Sequence, residues 1–370
     1  MSVGAALQEM GEGVLVLLDT GVFAFSGKTG EELWSYHDRD QTLISNVSAN
    51  EEYVVLHDED TSKMTLLERD TGQVAHEYTL DLSEVDHTYR VRADHVYEPL
   101  SGITGETWFV RTKESVASYD LATGDKVWET SDVPNCVDEG WVDSLSMQDD
   151  VVVAATTCYE QPEDREDDVA WIAGWDFISE LAGFAPKSGE ELWRIEHSVG
   201  NTPAESLQRD IVSRPGGLVK IDYLDSPSLG YSLLDIEAQE VTHLETQRPL
   251  WFSPDGDRLG LWDTETGQYR VQDRSGQVEQ TLAPELVSMG EDIVTDGYVV
   301  GLEEGVLHLE EWLEDASVSE GFARFEGFEG SSVLVWDNEE SMRVHSVRSV
   351  PGAVAVLSNI DGDLEVLGLR

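Results

Sequence analysis

The chain has 370 residues, with 75 aspartates and glutamates against 23 lysines and arginines, so its formal net charge is −52. This balance excludes binding of nucleic acid by general attraction to phosphate, which requires a basic patch that the sequence lacks. Apolar residues nevertheless make up 40% of the chain, including 11 tryptophans, which favours a folded protein over a disordered one. At this length the core must be divided among several domains or among repeats.

A six-residue motif recurs three times along the chain. It is Thr-Gly-Glu-Glu-Leu-Trp at 29–34, Thr-Gly-Asp-Lys-Val-Trp at 123–128 and Ser-Gly-Glu-Glu-Leu-Trp at 188–193. An alternating apolar segment precedes each copy, which predicts a strand, a tight turn and a second strand. The glycine supplies the positive φ that such a turn needs, and the tryptophan four residues later is expected to be buried between neighbouring sheets.

Weaker copies of this unit fill the rest of the chain. The second has Gly72 in its turn and His76 at the tryptophan position, where a core histidine is favoured over a metal ligand because no second ligand stands at metal spacing. The fifth has Gln239 in place of the turn glycine and His243 at the tryptophan position, and the sixth turns at Gly276. The predicted structural repeat residues are Gly30, Trp34, Gly72, Gly124, Trp128, Gly189 and Trp193.

Strands followed by Asp-x-x-Thr-Gly-x-x-x-Trp resemble the quinoprotein-type (PQQ-like) β-propeller repeat. The turns lie 42, 52, 65, 50 and 37 residues apart, and propeller blades of four strands recur about every 40 to 50 residues. With two further units between 285 and 370, the resemblance implies an all-β fold. It implies a single β-propeller domain over residues 1–370, with eight four-stranded blades or, alternatively, seven. Because no innermost strand is recognised in the first unit, strands from both termini are expected to complete one blade.

The one large insertion, at about residues 158–180, lies in the fourth unit. Its first half is acidic from Glu163 to Asp168, whereas its second half is apolar and rich in aromatic residues. Large aromatic side chains in a propeller loop are candidate anchors for a protein partner, and the alternative is that they pack on the blade edge. The candidate partner-binding residues are Trp171, Trp175, Phe177 and Ile178.

Cysteines and targeting segments bear on the compartment. Cys136 and Cys158 could form one disulfide or remain two thiols, because spacing alone does not decide connectivity. The sequence as given has no signal-peptide pattern and no apolar run of about 18 residues that would span a membrane. We therefore expect a cytoplasmic protein as given, or a cell-surface or exported one if a leader has been removed.

No catalytic, cofactor-binding or metal-binding motif is recognised. An alcohol-oxidising quinoprotein would carry an adjacent cysteine pair and a haem-bearing relative Cys-x-x-Cys-His, and the sequence has neither. The segments Asp255–Asp257 and Asp361–Asp363 resemble fragments of calcium loops, but neither continues to a full ligand series, so hairpin turns are favoured. We therefore assign no catalytic, cofactor or metal residue and expect no cofactor.

The first hypothesis for function is a non-enzymatic scaffold for protein–protein interaction, similar in architecture to the BamB-like assembly factors. The alternative is a quinone (PQQ)-dependent or divergent oxidoreductase that uses the central funnel of a propeller. A third hypothesis, a sugar- or polymer-binding module, would require exposed aromatic residues along one face.

The distribution of charge suggests the source of the protein. Acidic residues are spread over the whole chain, and only six of the 23 basic residues are lysines. This composition resembles that of proteins from salt-in halophilic archaea. Folding against such self-repulsion requires screening, so the sequence predicts a protein that needs high salt.

Overall fold

The computed structural model describes twenty-two stretches of the chain, and every regular element in them is a β-strand. The described residues are 6–10, 13–18, 21–37, 46–49, 52–58, 63–79, 106–111, 115–131, 133–134, 139–148, 150–160, 176–197, 209–223, 230–253, 255–282, 295–302, 305–315, 318–327, 330–336, 342–350, 353–360 and 363–369.

The described strands form eight sheets, each made of strands that follow one another in the chain. The first four sheets are β1 (Ala6–Met10), β2 (Gly13–Leu18), β3 (Gly21–Ser26) and β4 (Glu32–His37); β5 (Asn46–Ala49), β6 (Tyr53–Asp58), β7 (Lys63–Glu68) and β8 (Val74–Thr79); β9 (Thr107–Arg111), β10 (Val116–Asp120) and β11 (Lys126–Thr130); and β12 (Glu139–Gln148), β13 (Val151–Glu160), β14 (Asp176–Phe184) and β15 (Glu191–Glu196).

The remaining four sheets follow the same order. They are β16 (Arg209–Arg214), β17 (Leu218–Tyr223), β18 (Tyr231–Asp235) and β19 (Glu240–Leu244); β20 (Gln247–Phe252), β21 (Arg258–Asp263), β22 (Gln268–Asp273) and β23 (Val278–Leu282); β24 (Thr295–Leu302), β25 (Gly305–Asp315), β26 (Val318–Gly327) and β27 (Gly330–Trp336); and β28 (Met342–Val350), β29 (Ala353–Ile360) and β30 (Asp363–Leu369).

The all-β prediction is confirmed, but the expected sharing of a sheet by the two termini is wrong for the described residues. The first sheet has four strands of its own, because Ala6–Met10 pairs antiparallel with Gly13–Leu18. The strands β28 to β30 form a separate sheet near the C-terminus. The strand β1 could not be recognised from the sequence because its residues, ALQEM, alternate only weakly between apolar and polar.

The chain divides into two compact units. The first contains Met1–Asp60, Leu67–Ala75 and Arg248–Arg370, and the second contains Thr61–Leu66 and His76–Gln247. In the first unit, one core joins the first and second sheets through residues that include Leu15, Trp34 and Val54. A second core of that unit joins the first and last sheets and consists of Leu7, Val14, Val16, Ala355 and Leu357.

Two cores of the second unit join its third, fourth and fifth sheets. The third and fourth sheets share the buried residues Phe109, Val116, Val133, Val142, Leu145, Val152, Ala154, Ala182 and Phe184. The fourth and fifth sheets share Val153, Ala155, Leu181, Ile211, Val219, Ile221 and Leu234. The fourth sheet therefore presents both of its faces to neighbouring sheets, which explains the long apolar run of β13.

The turn between the last two strands of a sheet has the same geometry in several repeats. Gly30, Gly72, Gly124 and Gly189 have φ values of 72°, 65°, 75° and 70°, in the left-handed region that favours glycine. The amide of each donates a hydrogen bond to the carbonyl four residues earlier, over 2.8 to 2.9 Å. Gln239 has φ of 53° and is the one non-glycine residue with positive φ in the described stretches, so the fifth repeat keeps this conformation without a glycine.

An aromatic side chain on the last strand of one sheet packs on the turn glycine of the next sheet. In the first unit, Trp34 is 7% exposed and its Nε1 donates to the carbonyl of Arg69 over 2.6 Å. Its ring lies so close to Gly72 that a Cβ added there would be 2.5 Å from Cε3 of the indole. We call this arrangement the aromatic contact: an aromatic ring packs on the turn glycine of the next sheet, and its N–H or O–H donates a hydrogen bond to a carbonyl of that turn.

The second unit repeats the aromatic contact with Trp128. Its Nε1 donates to the carbonyl of Pro186 over 2.7 Å, and its ring lies over Gly189. Trp128 and Trp193 are half-buried rather than buried, so the predicted burial holds fully only for Trp34. The ring of Trp193 packs over Gly183, its neighbour on β14, where the absence of a side chain leaves room for the indole.

In the second repeat the aromatic contact is made by Tyr78 rather than by the residue at the predicted position, His76. The hydroxyl of Tyr78 donates to the carbonyl of Leu121 over 3.0 Å, and its ring lies over Gly124. Residues two apart on a strand point to the same face, so a side chain two positions further along can take this role. His76 is half-buried. Burial, together with the nearby charge of Asp120, raises the pKa of Tyr78 well above its usual value.

The aromatic contact predicts that Gly72→Ala costs more stability than Gly30→Ala. Both residues have positive φ, which costs a residue with a Cβ roughly 1–2 kcal/mol. A Cβ at Gly30 meets nothing within 4 Å, whereas a Cβ at Gly72 collides with Trp34, which adds roughly 1–3 kcal/mol of overpacking. Denaturant unfolding of both variants at one salt concentration measures the difference. Equal losses would contradict the packing of Trp34 on this turn.

Candidate functional site

In the fourth sheet, β13 and β14 extend beyond β15, whereas β12 accompanies β13 as far as Tyr159. β13 and β14 pair antiparallel, from Val152 opposite Phe184 at one end to Glu160 opposite Asp176 at the other. β15 pairs with β14 only between Glu180 and Phe184. We call residues 157–160 and 176–179 the extended hairpin. The predicted insertion at 158–180 therefore begins and ends within strands.

The four candidate partner-binding residues fall into two groups. Phe177 and Ile178 lie on β14, where their backbone pairs with Tyr159 and Cys158 of β13. Trp171 and Trp175 lie outside the described residues. The structure thus places two of the four on the extended hairpin.

A buried carboxylate lies at the base of the extended hairpin. Asp143 is 3% exposed and occupies a β-bulge of β12, between Val142 and Ser144. Trp141 Nε1 donates to its Oδ1 over 2.6 Å, and Thr157 Oγ1 donates to its Oδ2 over 2.8 Å. A buried carboxyl group is tolerated only when its oxygens have hydrogen-bond partners, and the bond from Thr157 connects β12 to the first residue of the hairpin.

An ion pair holds the other side of the base. Arg194 of β15 donates from Nη1 to Glu180 Oε2 over 2.7 Å and from Nη2 to Glu191 Oε2 over 2.6 Å. Burial alone would lower the pKa of Arg194, but its hydrogen bonds with Glu191 and Glu180 outweigh this and raise it. The side chains of Arg194 and Glu180 are only 17% and 11% exposed, so solvent screens this pair weakly.

Cys158, the first residue of the predicted insertion, is disulfide-bonded and 3% exposed. Its backbone lies between Gly140 of β12 and Ile178 of β14. No described cysteine is free. Cys158 is therefore not a free thiol, and Cys136 lies outside the described residues.

Metal-binding geometry is absent from the described residues. In these stretches no three histidine, cysteine, aspartate or glutamate side chains are placed so that they could hold a metal ion. Asp255 accepts hydrogen bonds from Ser253 Oγ and from the amide of Asp257, which lower its pKa and mark this segment as a turn. Asp361 and Gly362 lie outside the described residues, and Asp363 begins β30.

Sequence reasoning missed the polar groups at the base, namely Asp143, Thr157, Glu180 and Arg194. No local signal could have singled them out, because acidic residues occur in nearly every turn and strand. The described part of the chain also contains no helix that is long and apolar enough to cross a membrane.

Comparison with known proteins indicates the family and the fold. The sequence profile of the family described as outer membrane protein assembly factor BamB matches residues 3–157 and 85–216. The structure is similar to that of BamB from Moraxella catarrhalis, with a TM-score of 0.53 and 12% identity over 100% of this chain and 95% of that chain. No protein with a curated description matches the sequence.

Two further solved structures are similar over most of this chain. Dihydro-heme d1 dehydrogenase NirN has a TM-score of 0.50 and 11% identity, over 95% of this chain and 72% of that chain. A eukaryotic initiation factor has a TM-score of 0.50 and 9% identity, over 100% and 89%. At such low identity these likenesses concern the fold alone, and with the BamB likeness they confirm the predicted β-propeller fold class.

Proposed function

This chain belongs to the family described as outer membrane protein assembly factor BamB, and from this we propose that it is a non-enzymatic β-propeller scaffold for protein–protein interaction. The matched segments together extend from residue 3 to residue 216, which is more than half of the 370 residues. We further propose one propeller domain of eight blades over residues 1–370, because the described strands form eight sheets. The composition supports a halophilic archaeon as the source.

The observation that carries the proposal is the extended hairpin. Two strands continue beyond β15, and their base is held by the hydrogen bond of Asp143 with Thr157 and by the ion pair of Arg194 with Glu180. Binding residues are most effective on elements that neighbouring contacts hold rigid. An apolar, aromatic segment that begins and ends on such strands is therefore suited to present anchors to a protein partner.

We expect the double substitution Trp171→Ser and Trp175→Ser to weaken partner binding at least about tenfold while the fold stays intact. An aromatic residue at an interface hot spot typically contributes roughly 2 kcal/mol or more, and 1.4 kcal/mol is a factor of ten in affinity. The measurement is quantitative mass spectrometry of proteins retained from native extract, at native salt, by immobilised wild-type and variant proteins.

The matched control is the pair Leu33→Ser and Val278→Ser, which removes two exposed apolar side chains outside the hairpin, 54% and 45% exposed. We expect this control to retain the same proteins as the wild type. Equal retention by the tryptophan variant, or no protein retained above bare resin, would contradict the proposed scaffold function. Thermal melts of all three proteins verify that they are folded.

A further inference from the structure

We propose that the last sheet accepts a strand of a partner protein beside β30, and that a tryptophan or tyrosine of this strand packs on Gly30, the turn glycine of the first sheet. That the strand comes from another protein rests on the proposed function. The open position itself rests on the described sheets and turns of the first unit.

The last sheet has one strand fewer than the first sheet among the described residues. The first strands of the two sheets, β1 and β28, lie side by side, and the two sheets share a core. β30 therefore corresponds to β3, and no described strand takes the place of β4. β30 pairs with β29 from Asp363 to Leu369, so its other side is an edge in this part of the structure. The backbone N–H and C=O groups along such an edge can pair with an added strand.

The turn of the first sheet lacks the aromatic contact. In three repeats the last strand of one sheet supplies a tryptophan or tyrosine to the turn glycine of the next sheet, namely to Gly72, Gly124 and Gly189. Gly30 has the same conformation, but it is exposed, and a Cβ added to it would meet no described residue within 4 Å. The first sheet receives no aromatic residue on the side where the last sheet lacks its fourth strand.

The three covered turns define the side chain that fits Gly30. Each covering residue donates from an N–H or O–H to the carbonyl three positions before the glycine, namely that of Arg69, Leu121 or Pro186. The corresponding carbonyl in the first sheet is that of Gly27. We call Gly30 and the Gly27 carbonyl the open turn. A tryptophan or tyrosine on an extended segment matches it, and both residue types are typical anchors of interfaces.

Composition favours a partner protein as the source of this residue. The segments of the first unit outside the described residues, of which the longest are 38–45 and 283–294, contain no tryptophan or tyrosine. The net charge of −52 favours a partner segment with lysine or arginine over an acidic one. The occupant is therefore a basic, extended segment of another protein that carries an aromatic hydrogen-bond donor.

The aromatic contact leaves the nearby aliphatic side chain exposed. Val127 and Leu192, each three residues after a covered turn glycine, are both 50% exposed, and Leu33, at the same position after Gly30, is 54% exposed. Because covering the glycine does not bury this side chain, Leu33 is not part of the open turn. Leu33→Ser therefore remains a suitable control for partner retention.

Binding of a synthetic peptide at native salt tests the inference without a native partner. The peptide copies residues 123–131, TGDKVWETS, with Asp125→Lys and Glu129→Lys to make it basic, and fluorescence anisotropy measures its binding. We expect Trp128→Ala in the peptide to weaken binding about tenfold or more, as at interface hot spots. Trp128→Phe in the peptide should have a smaller effect, because it keeps the ring and loses only the donor.

A substitution in the protein locates the peptide. Gly30→Ala should also weaken binding about tenfold or more, since a Cβ at the covered glycine Gly72 would lie 2.5 Å from the indole. The matched control is Gly276→Ala, because Gly276 also has positive φ and no described neighbour within 4 Å of an added Cβ. This control should bind the peptide as the wild type does. A photoreactive group on the peptide should cross-link to residues 27–30 and 363–369, and thermal melts verify that both variants are folded.

Three outcomes would overturn the inference. They are equal binding by Gly30→Ala and Gly276→Ala, equal binding of the peptide with and without its tryptophan, and no binding up to about 1 mM peptide, which would mean that the edge is closed. Tryptophan-dependent binding at Gly30 supports the inference even if Trp171→Ser with Trp175→Ser leaves partner retention unchanged. That result would overturn only the proposed role of the extended hairpin.

Discussion

Transfer from molar KCl to millimolar buffer is expected to unfold this protein. If every one of the 23 basic residues paired with a different carboxylate, 75 − 23 = 52 carboxylates would still have no cationic partner. The screening length is about 30 Å at 0.01 M salt and about 3 Å at 1 M, so only at low salt does repulsion add up across the whole molecule.

The magnitude of this repulsion is sufficient to outweigh the fold. One pair of like charges at 4 Å costs about 1 kcal/mol in water, and dozens of such pairs exceed a typical net stability of roughly 5–15 kcal/mol. Salt also strengthens the burial of apolar side chains to an extent that depends on the ion. The melting midpoint, followed by tryptophan fluorescence, should therefore fall steadily as KCl is lowered.

Sucrose at low ionic strength provides a control for this experiment. It favours compact proteins by exclusion from their surface but does not screen charge, so it should restore little of the lost stability. A melting midpoint that stays constant between molar and millimolar KCl would show that the acidic composition does not make the fold dependent on salt. That result would also remove the support for a halophilic source.

Trp34→Ala is expected to lower the free energy of unfolding by about 3–5 kcal/mol, the cost of removing a large buried aromatic side chain. Trp34 is 7% exposed, packs on Gly72 and donates to the carbonyl of Arg69, so its loss leaves both a cavity and an unpaired carbonyl. Trp128→Ala should lie near the lower end of this range because Trp128 is only half-buried. Denaturant unfolding in molar KCl measures both.

Two further substitutions divide this effect into its parts. Trp34→Phe keeps an aromatic ring over Gly72 but loses the indole donor, so we expect it to recover most of the loss while still lacking about 1 kcal/mol for the hydrogen bond. Leu33→Ala changes the neighbouring residue, which is 54% exposed, and should alter stability by less than about 0.5 kcal/mol. A loss at Leu33 as large as that at Trp34 would mean that the indole does not join the two sheets.

The turns and strands of the repeats could be predicted from the sequence because their determinants are local. A strand is indicated by alternation over five or six residues, and a turn by a glycine that tolerates positive φ, as at Gly30 and Gly124. The resemblance of the repeated motif to a known propeller repeat indicated the family, and the spacing of its turns agreed with an all-β propeller. The aromatic contact was predicted only in part. Trp34 and Trp128, each four positions after the turn glycine of its own repeat, make the contact as predicted. In the second repeat, Tyr78 makes it instead of the residue at that position.

The sequence by itself determined the repeat, its turns and the excess of negative charge, and the tertiary structure decided which residues act together. Tyr78 rather than His76 packs on the next turn because either side chain is on the correct face, and only the adjacent sheet selects between them. Asp143 and Arg194 stand out among 75 acidic and 23 basic residues only because adjacent strands cover them and supply one partner to each, Thr157 and Glu180. Burial and pairing are non-local, so a linear pattern contains no record of them.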